Sequence, residues 1–199
     1  TASAGDFFNV LEVDASGSVV ANDGTIVLFG DIFVDDGTVL GDARVELIGN
    51  VETLGGLRTI DTEDSSTDAG EIDLSAANVF AGGDDAFLLL DAATAGGGAG
   101  GNVSLGSADD NSTADLFVED VEVNVSGAGS NGELSLNGSF FIDANGNTNA
   151  VGATTGADFL LTSTGSTAAI IVDASSVIDT ETGDDDPAGE INLGGGNIA

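Results

Sequence analysis

Carboxylates are the only chemically active side chains this polypeptide carries in number: 35 Asp and Glu stand against Arg44 and Arg58, for a formal charge of -33. They gather as Asp35-Asp36, Asp84-Asp85, Asp109-Asp110 and Asp184-Asp185-Asp186, each in a run of turn-forming residues. Turn carboxylates and loop carbonyls suit hard cations such as Ca2+, which takes roughly six to eight oxygen ligands. Asp184, Asp185 and Asp186, just ahead of the single proline, are the preferred candidates, with Asp109 and Asp110 next. No EF-hand loop or tandem calcium-roll nonapeptide is present, and a solvated acidic surface is the commoner fate of such clusters. Ca2+ is thus a candidate ligand, not a requirement, and no cofactor is needed.

Two carboxylates also suffice to hydrolyse a glycosidic bond. With Asp and Glu throughout the chain, no pair stands out. The absence of His and Cys removes the commonest acid/base group, the thiolate nucleophile and the usual transition-metal ligands. Lys, Tyr and Trp are missing as well, which removes Schiff-base chemistry and most sugar-stacking platforms. The expectation is a protein that is not an enzyme. Nucleic acid and anionic membranes require basic patches and are excluded as partners.

The elements that must position these groups are strands. Gly70-Glu71-Ile72-Asp73-Leu74 recurs as Gly101-Asn102-Val103-Ser104-Leu105, Gly132-Glu133-Leu134-Ser135-Leu136 and Gly189-Glu190-Ile191-Asn192-Leu193, with a looser copy at Gly24-Thr25-Ile26-Val27-Leu28. Each alternates polar and apolar residues behind a glycine, the period of a strand with one buried face. A second set is led by aspartate: Asp6-Phe7-Phe8, Asp85-Ala86-Phe87-Leu88, Asp115-Leu116-Phe117 and Asp158-Phe159-Leu160. Phe7, Phe87, Phe117 and Phe159 hold matching places and predict an interior aromatic stack. Further strands are expected at 30–34, 44–48, 121–125 and 168–172, with a third, variable strand completing each coil. Self-similarity of this kind is the signature of a solenoid. The expected architecture is an all-β parallel β-helix, one unit over residues 1–199, with an apolar interior and an acidic exterior.

The ends of the sequence read as parts of one winding. Placing Gly189 to Ala199 before Thr1 to Phe7 rebuilds the pattern from Gly70 to Phe87 with a few extra residues. Val10, Phe7, Phe8, Ile191, Leu193, Ile198 and Ala199 are therefore the expected junction, open for head-to-tail continuation. A chain without Met has no initiator residue, so Thr1 reads as a processed N-terminus or an excised segment. No signal peptide and no apolar run of about 18 residues is visible.

The phrases from Gly70 to Ala81, GEIDLSAANVFA, and from Gly24 to Val34, GTIVLFGDIFV, resemble the β-strand repeats of filamentous-haemagglutinin-like and related giant secreted bacterial adhesins. The resemblance implies a right-handed winding and a long rod at the cell surface. The expected function is a structural extracellular filament or rod segment, whose partners are copies of itself or adjoining repeats. The alternatives are an adhesin presenting a polysaccharide- or calcium-binding face and, third, a glycan-degrading β-helix.

Overall fold

The computed structural model of the chain describes residues 10–16, 24–34, 43–62, 68–83, 85–94, 96–109, 117–143, 157–164, 168–172, 175–180, 188–194 and 196–198. Their strands are β1 (Val10–Asp14), β2 (Thr25–Leu28), β3 (Ile32–Phe33), β4 (Arg44–Thr53), β5 (Gly56–Asp61), β6 (Glu71–Ala81), β7 (Ala86–Asp91) and β8 (Val103–Ala108). They continue as β9 (Asp120–Asn124), β10 (Glu133–Leu136), β11 (Phe140–Phe141), β12 (Phe159–Thr162), β13 (Ala169–Val172), β14 (Ile178–Asp179), β15 (Ile191–Asn192) and β16 (Asn197–Ile198). No helix occurs among the described residues.

The strands form two parallel sheets, each climbing the molecule one coil at a time. The first runs β1-β4-β6-β8-β10-β13-β16, with β2, β11 and β14 paired beside that path, and the second runs β3-β5-β7-β9-β12-β15. Because the chain crosses from one sheet to the other and back, each strand pairs with the one a full coil away. This is a parallel β-solenoid, as the repeats predict. The expected third strand of the coil is present as well: β2, the far halves of β4 and β6, the end of β8, β11 and β14 pair in that order, set off from the first face by register shifts within β4 and β6.

Register stacks like on like. Leu11, Val45, Ile72, Val103, Leu134, Ile170 and Ile198 form one inward column through the first sheet. Ile32, Ile60, Leu90, Val123 and Leu161 form its counterpart in the second. The middle members of both columns are fully buried, and the Phe140 and Phe159 rings meet between the sheets at 5.5 Å, a tilted pairing that favours the quadrupoles. Another inward column, Leu88-Val121-Phe159-Ile191, has Arg58 at its head. The Arg58 guanidinium donates to the backbone carbonyls of Leu28, Leu57 and Gly55 at 3.1, 2.7 and 3.0 Å, a polar end to an apolar column.

One expectation is corrected by this register, and one set of look-alike strands is divided by it. The aromatic stack does not form: Phe159 lies on Val121 and, beyond it, Leu88, whereas Phe87 faces outward between Leu57 and Asp120. Phe117 is buried but precedes β9, and Phe7 lies outside the described residues. The five glycine-led strands also do not share one column. Gly70, Gly101 and Gly132 do, leading β6, β8 and β10, but Gly189 leads β15 in the second sheet, against Ala157. Gly24 leads β2, which pairs with the far half of β4.

Glycine is required where the columns turn the corner into the first sheet. A Cβ on Gly101 would stand 1.6 Å from the Gly70 carbonyl oxygen, and one on Gly132 would stand 1.9 Å from that of Gly101. Each of these glycines also closes its own coil: the N–H groups of Gly70, Gly101 and Gly132 donate to the carbonyls of Thr62, Ala92 and Val125. Gly101→Ala should therefore lower the thermal midpoint by roughly 5–10 °C, the effect of about 3 kcal/mol of overpacking in a chain of this size. Gly97→Ala, at a site where a Cβ meets nothing within 4 Å, should leave it unchanged; circular-dichroism melts of the two variants make the comparison.

Candidate functional site

The connections from the first sheet to the second are short in the early coils and longer in the later ones, while the columns they join stay in register. Ala81 is followed closely by Ala86, but Ala108 by Asp120, Phe141 by Phe159 and Asp179 by Ile191. The insertions therefore fall at one edge of the solenoid, where variable loops carry function in scaffolds of this kind. Asp84-Asp85, Asp109-Asp110 and Asp184 to Asp186 all belong to these connections; Asp35-Asp36 belongs to a return connection. Asp109 is exposed next to β8, and Asp110, Asp184, Asp185 and Asp186 lie outside the described residues. Among the described residues no three Asp or Glu are placed to hold a metal ion.

The same edge holds two acids that sequence reasoning passed over. Glu119 and Asp143 are buried. The Asp143 N–H donates to Val118 and the Glu119 carboxylate accepts from the Asp85 N–H at 2.8 Å. Asp85 itself takes a left-handed conformation, φ 60°, and its carbonyl receives the Gly56 N–H. Glu119 thus ties one coil's corner to the next through the backbone. The neighbouring Asp120 does the same, accepting from the Asp158 N–H at 2.8 Å, and Asp158 in turn accepts from the Glu190 N–H. A carboxylate followed by a strand start is the only signal the sequence offers for these links, and it is too common to single them out.

Charge on the outer face is managed at few points. Arg44, on β4, reaches Asp73 at 3.0 Å, Glu46 at 3.3 Å and Glu71 at 3.4 Å. Register brings these acids to it, since Arg44 pairs with Glu71 and Glu46 with Asp73. Burial alone would raise the Asp73 carboxyl, but hydrogen bonds from Ser75 and Arg44 outweigh it and hold it below the usual carboxylate value. Asp120 behaves oppositely: burial pushes its carboxyl up and the charges of Asp158 and Glu122 add to the rise, against the one hydrogen bond from Asp158.

The expected junction residues separate by position. Val10 at the start of β1, Ile191 in β15 and Ile198 in β16 are 53 %, 46 % and 66 % exposed, all three at the first or last strands of their sheets. Leu193 is partly buried against the core. Phe7, Phe8 and Ala199 lie outside the described residues. The chain matches no protein-family model, no curated protein and no solved structure.

Two variants test the electrostatics. Arg44→Gln leaves Glu46, Glu71 and Asp73 without their shared cation and should lower the thermal midpoint by roughly 2–5 °C, an effect that shrinks in 1 M salt because the pairs are partly exposed. Asp120→Asn should act in the other direction. A carboxyl whose folded value is raised gives its full stabilisation below the unfolded value of 3.8, and that contribution is lost as pH rises through the folded value. At pH 7 the ionised Asp120 is thus a cost; the Asn variant should melt higher there, and its advantage should vanish toward pH 3.5. Melts across pH 3.5–8 check both the sign and the window.

Proposed function

We propose that this chain is a structural segment of an extracellular filament or rod, in which the coils of one copy are continued by the next copy or by adjoining repeats. The observation that carries the reading is the column from Leu11 to Ile198. It is aliphatic at every level, buried through its middle and bare at its last member. A parallel stack ends in strands whose outer backbone groups await a partner, and such edges pair readily unless blunted. Here Ile191 and Ile198 at one end, and Val10 and Phe33 at the other, add exposed apolar side chains to the terminal strands. A contact between unlike ends cannot close on itself when the two ends lie on opposite faces of a rod, so it propagates.

The column is revisited at intervals of 34, 27, 31, 31, 36 and 28 residues, about one coil of a rod each time. A structural role calls for no catalytic group, and an outer surface of one sign keeps rods from associating side by side. The resemblance to adhesin repeats supports placement outside the cell.

Sedimentation velocity and negative-stain microscopy of the single chain, from about 1 to 200 µM in 0.15 M salt, test the reading. Long unbranched rods should form in a concentration-dependent way. Ile198→Asp combined with Ile191→Asp should abolish them while leaving the circular-dichroism melt within a few degrees of wild type. A monodisperse monomer across the whole range would overturn self-stacking.

A further inference from the structure

The outer face of the second sheet carries a column that changes character half way along the molecule. Leu57 on β5 is 54 % exposed and pairs with Phe87 on β7, which pairs with Asp120 on β9. Asp158 and Glu190 follow at the same place in the next two coils, each linked to the acid before it by a backbone N–H. Leu89, two residues from Phe87, widens the apolar half. With strands about 4.8 Å apart, the stripe is roughly 19 Å long, apolar at one end and anionic at the other.

Other outward apolar side chains stand singly against polar neighbours: Phe33 pairs with Asp61, Phe80 with Glu52, Leu160 with Glu122 and Asn192, and Ile171 with Ser135. Leu57 and Phe87 instead pair with each other, and an apolar pair beside a row of one sign marks an interaction surface. A second copy is a poor occupant. Side by side in the same direction, the copies would set acids against acids; in opposite directions, they would set Phe and Leu against carboxylates. Nor can a copy supply cations, because the chain has no Lys or His, Arg44 is committed to three carboxylates and Arg58 to three carbonyls.

We infer that this stripe is a docking surface for an extended cationic polypeptide of another protein, with apolar side chains at one end seated on Leu57 and Phe87 and basic side chains at the other facing Asp120, Asp158 and Glu190. The apolar half supplies desolvation and the anionic half supplies direction, since a reversed segment would place its charges on phenylalanine.

The test uses two ten-residue fluorescent peptides of identical composition in 0.15 M salt: one with Leu and Phe in its first half and Lys in its second, the other shuffled. Anisotropy titration of the full chain should show the ordered peptide binding about tenfold or more tighter than the shuffled one. Leu57→Ser with Phe87→Ser, and separately Asp158→Asn with Glu190→Gln, should each remove at least about fivefold of that preference. Melts confirm that both double variants remain folded. Equal binding of the two peptides would show attraction to net charge alone and overturn the inference, as would no binding of either, or a preference that survives both pairs of substitutions.

Discussion

Close approach of backbone to backbone at the corner leading into the first sheet is the constraint on which the other features rest. A parallel stack requires each coil to return to the same place before it can pair with the one below. At this corner the return is made by main-chain atoms: Gly70, Gly101 and Gly132 donate to Thr62, Ala92 and Val125, and each glycine faces the carbonyl of its predecessor with no room for a Cβ. Alanine takes the place at Ala43 and Ala168, leading β4 and β13, and both are buried. With the corner fixed, the inward columns follow, because period-two alternation then decides which residue of each strand reaches the interior.

Fixing that corner leaves the opposite one free. The connections between the first and second sheets vary from a few residues to many without shifting the columns, so insertions can accumulate at one edge at little cost in stability, as expected when loop-closure entropy grows slowly with length. The acids there hold the coils together as well as carrying charge. Glu119, Asp120 and Asp158 each accept a backbone N–H from a different coil, converting carboxylates that would repel into acceptors for donors the sheets leave unpaired. Burial chiefly, with repulsion from Asp158 and Glu122 added, raises the Asp120 carboxyl, whereas Arg44 offsets repulsion where Glu46, Glu71 and Asp73 converge.

How much of this was legible in the residues depends on whether a feature is local. Period two behind a glycine is local, and it located β6, β8 and β10 and the solenoid itself. The nine-residue interval from Ala15 to Gly24, repeated from Ala92 to Gly101, has a local physical cause as well, since both pairs are joined by the same N–H to carbonyl bond. Sheet membership is not local. Gly189-Glu190-Ile191 has the same grammar as Gly70-Glu71-Ile72, yet only the strand beneath it, β12, determines that it belongs to the second sheet. The phenylalanines failed for a related reason. Asp85-Ala86-Phe87 and Asp158-Phe159 differ by one residue, and one residue reverses the face. Phe87-Leu88-Leu89-Leu90 is apolar at every position, so nothing in it reveals which side is inward.

That ambiguity bears on the surface as well as the core. In an ordinary half-buried strand the outward residues are polar and the parity is plain; β7 instead keeps Phe87 and Leu89 on the outside, in register with Leu57. Apolar residues there do not hold the coil together, since Leu88 and Leu90 already fill the interior beside them. They raise the risk of unwanted pairing on a rod whose terminal strands are already open, a risk natural sheets usually suppress with charge. The chain has charge in abundance and places it one coil further on, at Asp120, Asp158 and Glu190, leaving Leu57 exposed and Phe87 and Leu89 half-buried beside it. A surface that could have been protected by single substitutions, and is bordered by acids rather than covered by them, is better explained by contact with a partner than by the demands of folding.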